Sequence, residues 1–258
     1  TRRPVESFSF PVEKIKEGYY TDAYFMRSEE ILNGDNYHPR VLMQVFARDH
    51  VVVCGTDEVI ALIRQCAFHP ETIEIHSLRD GEEVDEWETV MTIEGDYADF
   101  AHLETIYLGI LARQSRIATN VRRVVKAANG KPVLFYPARY DIYQTQESDG
   151  YAALVGGIHG FSTDANALAA GGKGLGTIPH ALIASYKGDT VAATEAFDKY
   201  VDPSIARIAL VDFDNDCVNT SLAVARKLGK KLAGVRLDTS GSMVDKSLWT
   251  QIGTFKPT

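Results

Sequence analysis

The residues best suited to chemistry crowd into the second half of the chain, each next to a short apolar run. His180 interrupts the glycine-relieved stretch Gly174-Leu-Gly-Thr-Ile-Pro-His-Ala-Leu182. Asp212 closes Ile208-Ala-Leu-Val-Asp212, and Arg236 and Asp238 close Leu232-Ala-Gly-Val-Arg-Leu-Asp238. Gly156-Gly157 is followed by His159 and Ser162, and Arg139 ends Phe135-Tyr-Pro-Ala-Arg139. The set is chemically mixed. Arginines suit bound phosphates, carboxylates suit hard cations such as Mg²⁺, and histidines can donate or accept a hydrogen bond. Singly, each has a plainer reading. A lone histidine is ordinarily a structural hydrogen-bonding residue, Asp212 and Asp238 could cap helices, and Arg139 could form a surface ion pair. Their recurrence at the ends of separate apolar runs favours a shared site.

Something must bring these ends together. Apolar runs begin near Val133, Leu154, Leu175, Ile208 and Leu232, with helical patterns between them, notably Thr190 to Tyr200 and Cys217 to Leu228. Strand–helix alternation predicts a parallel sheet or barrel whose strand C-terminal ends face the reaction site. A closed eight-stranded barrel takes roughly 200 residues or more, and about 127 follow residue 131. The expected class is therefore α/β: a β-rich α+β domain over 1–131, then a TIM-like, incomplete parallel α/β barrel over 132–258.

The first part reads differently. Residues 1–12 resemble an arm or edge strand, and Thr21 or Asp22 is placed to cap a short helix. Gln44–Phe46 and Val51–Cys54 read as strands, and Thr56-Asp57 as the cap of a helix with Val59, Ile60, Leu62 and Ile63 on one side. Thr72–Leu78 and Glu88–Ile93 alternate as strands about the turn Asp80-Gly81. The longest periodic segment, from about Phe100 to Ala128, predicts an amphipathic helix broken near Ser115 and stopped by Asn129-Gly130.

Composition narrows the function. The 258 residues carry 27 Lys and Arg against 35 Asp and Glu, a net charge of −8, with an apolar fraction of 45%. No polybasic face is evident, so neither nucleic acid nor an anionic membrane is an expected partner, and bound phosphates would need local arginines. Cys54, Cys66 and Cys217 form no CxxC pair or disulfide framework, which makes a reducing cytoplasm the expected compartment. Gly171-Gly-Lys-Gly-Leu-Gly176 fails the phosphate-loop spacing at Ala167 and Gly174 and the dinucleotide spacing at Thr177. Neither HExxH nor GxSxG occurs.

Taken in order, Tyr20-Thr-Asp-Ala-Tyr24, Glu104 with Tyr107-Leu-Gly-Ile-Leu111, Ser115-Arg-Ile-Ala-Thr119, Gly176-Thr-Ile-Pro-His-Ala181 and Arg236-Leu-Asp-Thr-Ser-Gly241 resemble the nicotinate phosphoribosyltransferase family. These are type II phosphoribosyltransferases, which also include nicotinamide and quinolinate enzymes. The resemblance implies a nicotinate phosphoribosyltransferase of NAD biosynthesis, with phosphoribosyl pyrophosphate and ATP as co-substrates and Mg²⁺ as cofactor. It makes His180 the residue phosphorylated by ATP, Arg139 the contact to the pyridine acid group and Tyr136 a stacking aromatic beside it. Asp212, Arg236 and Asp238 fall on residues holding ribose, phosphates and Mg²⁺, Asp238 being the metal ligand. Thr177, Ser240 and Gly241 lie in the same motifs and join His159 and Ser162 as expected substrate contacts. Tyr24, Asp22 and Arg48 fall on positions facing a neighbouring subunit's site, which implies a homodimer.

Two departures from the family pattern matter. The family has an aspartate where this chain has His159; a histidine there does not repel nicotinate. The family also carries a segment after the Arg236 motif that completes the barrel, so this chain is expected to be truncated at that end. Nicotinamide or quinolinate as substrate, and a truncated non-catalytic relative acting as a binding or regulatory subunit, are the alternatives.

Overall fold

The computed structural model describes residues 2–251. Contacts divide the chain into two compact units, Thr1–Leu175 and Gly176–Thr258. The division expected at 131/132 thus falls instead at Leu175/Gly176, because the first strand–helix–strand segment after residue 131 packs on the long helix before it.

The first unit opens with a 3₁₀ turn at Val5–Ser7 and helix α1 (Val12–Lys16), where an arm or edge strand was expected. Arg2 ties this segment down, donating to Asp57, Thr56, and the Ser77 hydroxyl and carbonyl. Helix α2 (Ala23–Gly34) follows; Asp22 holds its N-cap position but makes no side-chain cap bond. Strands β1 (Arg40–Phe46), β3 (Glu74–Ser77) and β5 (Thr89–Asp96) form an antiparallel sheet in the order β1-β5-β3. Strands β2 (Val51–Val52) and β4 (Glu83–Val84) make a separate antiparallel pair. Helix α3 (Thr56–Cys66) begins after Gly55 rather than at a Thr56-Asp57 cap. Gly55 has φ +99°, and Thr56 donates instead to Asp80.

Helix α4 (Tyr97–Phe100) leads into α5 (Glu104–Ala127), which is continuous where a break was expected. Ser115 does not interrupt it. Its hydroxyl accepts from the Cys54 N–H and donates to the Cys54 carbonyl, while Thr119 accepts from the Val52 N–H. Side chains of α5 thus satisfy backbone groups that would otherwise be buried without partners. The core of this unit joins Leu62 and Ile63 of α3, Ile93 of β5, and Phe100, Leu103 and Tyr107 at the α5 end. Removing a side chain such as Phe100 would cost about 3–5 kcal/mol.

Strand β6 (Leu134–Phe135), helix α6 (Gln146–Gly156) and strand β7 (Gly160–Phe161) form the first parallel strand–helix–strand segment, followed by α7 (Asp164–Ala167). The strand expected near Leu154 is helix α6. Its small residues allow close approach: a Cβ on Gly156 would sit 2.7 Å from Val121 and 2.8 Å from the Ala118 carbonyl oxygen of α5. Arg122 of α5 then donates to the Val155 and Gly156 carbonyls at the end of α6, completing bonds that a helix end leaves open.

In the second unit, α8 (His180–Ser185) and α9 (Thr190–Tyr200) precede strand β8 (Arg207–Leu210), helix α10 (Cys217–Leu228) and strand β9 (Leu232–Arg236). Strands β8 and β9 pair in parallel. Residues Leu175 to Pro179 form no strand. The fold is mixed α/β with a small sheet domain. The parallel strands among the described residues form two separate pairs, β6-β7 and β8-β9, rather than a closed barrel. No helix of the described residues is long and apolar enough to cross a membrane.

Candidate active site

The second unit builds the tighter cluster. His180 is the first residue of α8 rather than the end of a strand. Ile178 and Ile183, both buried, pack with Phe197 and Leu210 and so fix the backbone on either side of it. Asp212 lies just past β8, with only 1% of its side chain exposed. Its Oδ1 accepts from His180 Nε2 at 2.9 Å. Its Oδ2 accepts from the Asp238 N–H at 2.6 Å and from the Thr239 hydroxyl at 3.0 Å. Burial pushes the Asp212 carboxyl up, but the bonds from His180, Asp238 and Thr239 outweigh it and hold the group below 3.8.

The Asp212 carboxylate thus accepts three hydrogen bonds on its two oxygens and orients the groups that donate them. With the proton on Nε2 facing Asp212, Nδ1 is the ring nitrogen left with a lone pair. The arrangement can therefore present His180 as a nucleophile or proton acceptor at Nδ1.

Arg236, at the end of β9, donates to the Thr177 hydroxyl at 3.2 Å and to Asp238 Oδ2 at 2.9 Å. Asp238 Oδ1 accepts no hydrogen bond among the described residues, and no group of three or more His, Cys, Asp or Glu among them is placed to hold a metal. One free carboxylate oxygen suits Mg²⁺, which keeps waters and shares substrate phosphates, better than a metal caged by protein. Ser240 and Gly241 are exposed, and the Ser240 hydroxyl meets that of Ser242 rather than the Asp212 cluster. Thr239, which sequence reasoning passed over, was visible only as the residue between Asp238 and Ser240.

In the first unit, Tyr136 follows β6 and donates from its hydroxyl to the Leu175 carbonyl at 3.0 Å. Arg139 lies in a 3₁₀ turn, Ala138–Tyr140, exposed, with the Tyr140 ring 5.8 Å from its guanidinium carbon. His159 is exposed just before β7; its Nδ1 accepts from the Val133 N–H at 3.2 Å, so the proton lies on Nε2. Ser162 donates its N–H to the Phe135 carbonyl at the opposite end of that strand pair. The loop bearing Arg139 is fastened by a residue the sequence did not single out. Arg113 of α5 makes two 2.9 Å bonds to Asp149, and also reaches Asp141 and Thr145.

Tyr24 is exposed on α2, its ring 4.3 Å from Phe25. Asp22 accepts from the Thr105 hydroxyl at 2.9 Å. Arg48, in the β1–β2 connection, lines a cavity along α5.

Residues 22–115 match the model of the quinolinate phosphoribosyl transferase N-terminal domain. A nicotinate phosphoribosyltransferase of Mycobacterium tuberculosis is 27% identical over 268 residues, covering 89% of this chain and 58% of the relative. One from Bacillus subtilis is 29% identical over 179 residues, covering 64% of this chain and 34% of the relative. The chain thus spans little more than half of the mycobacterial relative. Among solved structures, the nicotinate-nucleotide pyrophosphorylase from Pyrococcus furiosus is 36% identical with a TM-score of 0.82, covering 91% of this chain and 60% of that one. Human nicotinic acid phosphoribosyltransferase, at 16% identity and TM-score 0.66, shares the fold.

Proposed function

We propose that this chain, a member of the type II phosphoribosyltransferase family by sequence and fold, joins nicotinate to phosphoribosyl pyrophosphate, giving nicotinate mononucleotide and pyrophosphate, in a reaction coupled to ATP. The observation that carries the reading is the committed pair His180–Asp212 beside Arg236 and Asp238 at the ends of two parallel strands.

In the proposed reaction the pyridine nitrogen lone pair forms the bond to the ribose anomeric carbon as the bond to pyrophosphate breaks. The nitrogen needs no protein base, so positioning and charge neutralisation are the main tasks. Arg139, which has no carboxylate partner among the described residues, supplies a charge-assisted contact for the pyridine carboxylate, with Tyr136 as the stacking surface. Arg236 meets the phosphates, and Asp238 would hold Mg²⁺, which neutralises the pyrophosphate as it departs. His180 Nδ1 takes the terminal phosphoryl group of ATP, releasing ADP; Asp212 keeps the ring in the required tautomer. Water then removes that phosphoryl group as phosphate. Tyr24, Asp22 and Arg48 would complete a neighbouring copy's pocket in a homodimer.

The test is an assay of the full-length native protein with nicotinate, nicotinamide and quinolinate, each with and without ATP. Nicotinate should be preferred and stimulated by ATP. His180→Ala should abolish ATP hydrolysis linked to product while leaving some uncoupled transfer. Full ATP stimulation in that variant would remove His180 from the role.

A further inference from the structure

Helix α2 carries Tyr24 just after Asp22 at its N-cap position, yet only Phe25 of its twelve residues is buried. Polar contacts with the 3₁₀ turn Ala101–Leu103 and the start of α5 do the rest of the holding. The Thr21 hydroxyl donates to the His102 carbonyl at 2.6 Å, and Asp22 accepts from Thr105. One turn after Phe25, on the same face of α2, Glu29 reaches the His102 ring.

That ring is fully buried, with the Phe68 ring packed on it at 4.6 Å. Its Nε2 lies 3.0 Å from the Cys66 carbonyl oxygen; a carbonyl only accepts, so Nε2 carries a proton. Nδ1 then presents a lone pair, and Glu29 Oε2 stands 3.7 Å from it. Both atoms are buried, and neither has a hydrogen-bond partner among the described residues. An ionised Glu29 would set lone pair against lone pair and leave two buried acceptors unsatisfied. A bridging water would hold the two atoms roughly 4.5 Å apart, farther than they are. A proton on Oε2 satisfies both, since closing the gap by less than about 1 Å lets the acid donate to Nδ1.

The charges around the pair are Lys16 of α1, Asp99 of α4 and, bonded to Asp99 at 2.7 Å, His69. Burial, then Asp99, pushes the Glu29 carboxyl up. Burial pushes the His102 ring down, and Lys16 adds to it against the pull of the Cys66 carbonyl. The Cys66 thiol, pushed up by burial to about 11, stays neutral.

We propose that Glu29 is kept as a neutral acid donating to His102 Nδ1, and that this one buried proton positions α2 and with it Tyr24. Only the link to Tyr24's part in a neighbouring copy's pocket rests on the proposed transfer reaction. The raised value of Glu29 contributes stability that is complete below the ordinary 4.5 and fades as pH rises. The lowered value of His102 contributes stability that is complete above the ordinary 6.5 and fades as pH falls. Between 4.5 and 6.5 the two slopes cancel, because the open and closed forms each hold one proton. Above 6.5 only the closed form holds one. Opening of α2 should then grow by up to about tenfold per pH unit until Glu29 ionises in place.

The test needs no substrate. Infrared difference spectra of the full-length native protein, wild type minus Glu29→Gln, should show the stretch of one neutral carboxyl near pH 6.5. Nitrogen NMR should show His102 as a neutral ring protonated at Nε2. Protection factors of the α2 amides, already corrected for intrinsic exchange, should fall in the wild type as pH rises above that point. Glu29→Gln offers Nδ1 an N–H that does not ionise, so its protection should match the wild type near pH 6.5 and stay level above it. Glu29→Ala should lose protection at every pH. An ionised Glu29 near pH 6.5, or the same pH slope in wild type and Glu29→Gln, would overturn the proposal. The nicotinate KM should rise with pH more steeply in the wild type than in Glu29→Gln. Equal KM profiles beside the expected exchange would sink Tyr24's part in the neighbouring pocket and leave the buried proton standing.

Discussion

The two strand–helix–strand segments, β6–α6–β7 and β8–α10–β9, use the same topology to opposite ends. Each places its candidate residues next to the ends of a parallel strand pair. In the second, the polar groups satisfy one another in advance: His180 with Asp212, Asp212 with Asp238 and Thr239, Arg236 with Asp238 and Thr177. In the first, Arg139 is left without a carboxylate, and the fastening is done a few residues away by Arg113 on Asp141 and Asp149. A preset network suits a step in which one atom must carry a defined proton state. An uncommitted cation on a fastened loop suits recognition of an anion that arrives from solvent.

The sharpest way to break this contrast is Asp212→Asn. The amide cannot accept from both His180 and the Asp238 N–H, since one of its two positions is now a donor. Either the Asp238 N–H faces an NH₂ group, or the amide turns that group on His180 and moves the ring proton to Nδ1. The first removes the anion that stabilises a charged ring and sets a donor against the Asp238 N–H, and the second puts the proton on Nδ1 itself, so ATP turnover linked to product should fall about 10²- to 10⁴-fold. Wild-type ATP turnover in this variant would mean that the preset network is incidental.

Arg139→Ala should act on the other side of the comparison. Loss of one charge-assisted contact, about 1.5–3 kcal/mol, should raise the nicotinate KM by about ten- to a hundredfold. The nicotinamide KM should change far less. Equal changes for both substrates would take recognition of the carboxylate away from Arg139.

Arg113→Met tests the fastening. Asp149 is 6% exposed and would lose its bidentate partner. Because Arg113 itself is 40% exposed in its side chain, the cost should be nearer about 1–3 kcal/mol than the larger figure for a fully buried pair. Thermal or denaturant unfolding should show it, with the nicotinate KM rising alongside and amide exchange in β8 and β9 unaffected.

The smallest effect is one of pH. The folded carboxyl of Asp212 lies below 3.8, so folding is favoured by its ionised form. That contribution is complete above the unfolded value near 3.8 and disappears as pH falls through the lower folded value. Asp212→Asn should flatten this part of the acid limb of a melting-temperature profile; an unchanged limb would show that the carboxylate's partners add nothing to stability.

Much of this was legible before the fold was known. Helical periodicity located α3, α5, α9 and α10, apolar runs located β8 and β9, and Gln44–Phe46 proved to be the end of β1. Apolar patterning misread the run beginning near Leu154, because Leu154-Val155 and Ile158 are apolar enough for a strand. Only the Gly156 contact with Val121 shows why a helix fits there. Ser115 looked like a break because a hydroxyl on a helix has no visible partner in one dimension; its partner is Cys54. The site residues of the second unit were found through their motifs, but the division of labour among them was not. That Asp212 orients while Asp238 keeps an oxygen free depends on which backbone N–H lies opposite which oxygen.

The bond from the Val52 N–H to Thr119, and that from the Cys54 N–H to Ser115, tie two amide protons of the small sheet domain to hydroxyls on a helix. Those protons cannot meet solvent by peeling one strand from another. They are released only when α5 moves away or unwinds over that turn, so in hydrogen exchange they keep the helix's clock rather than the sheet's.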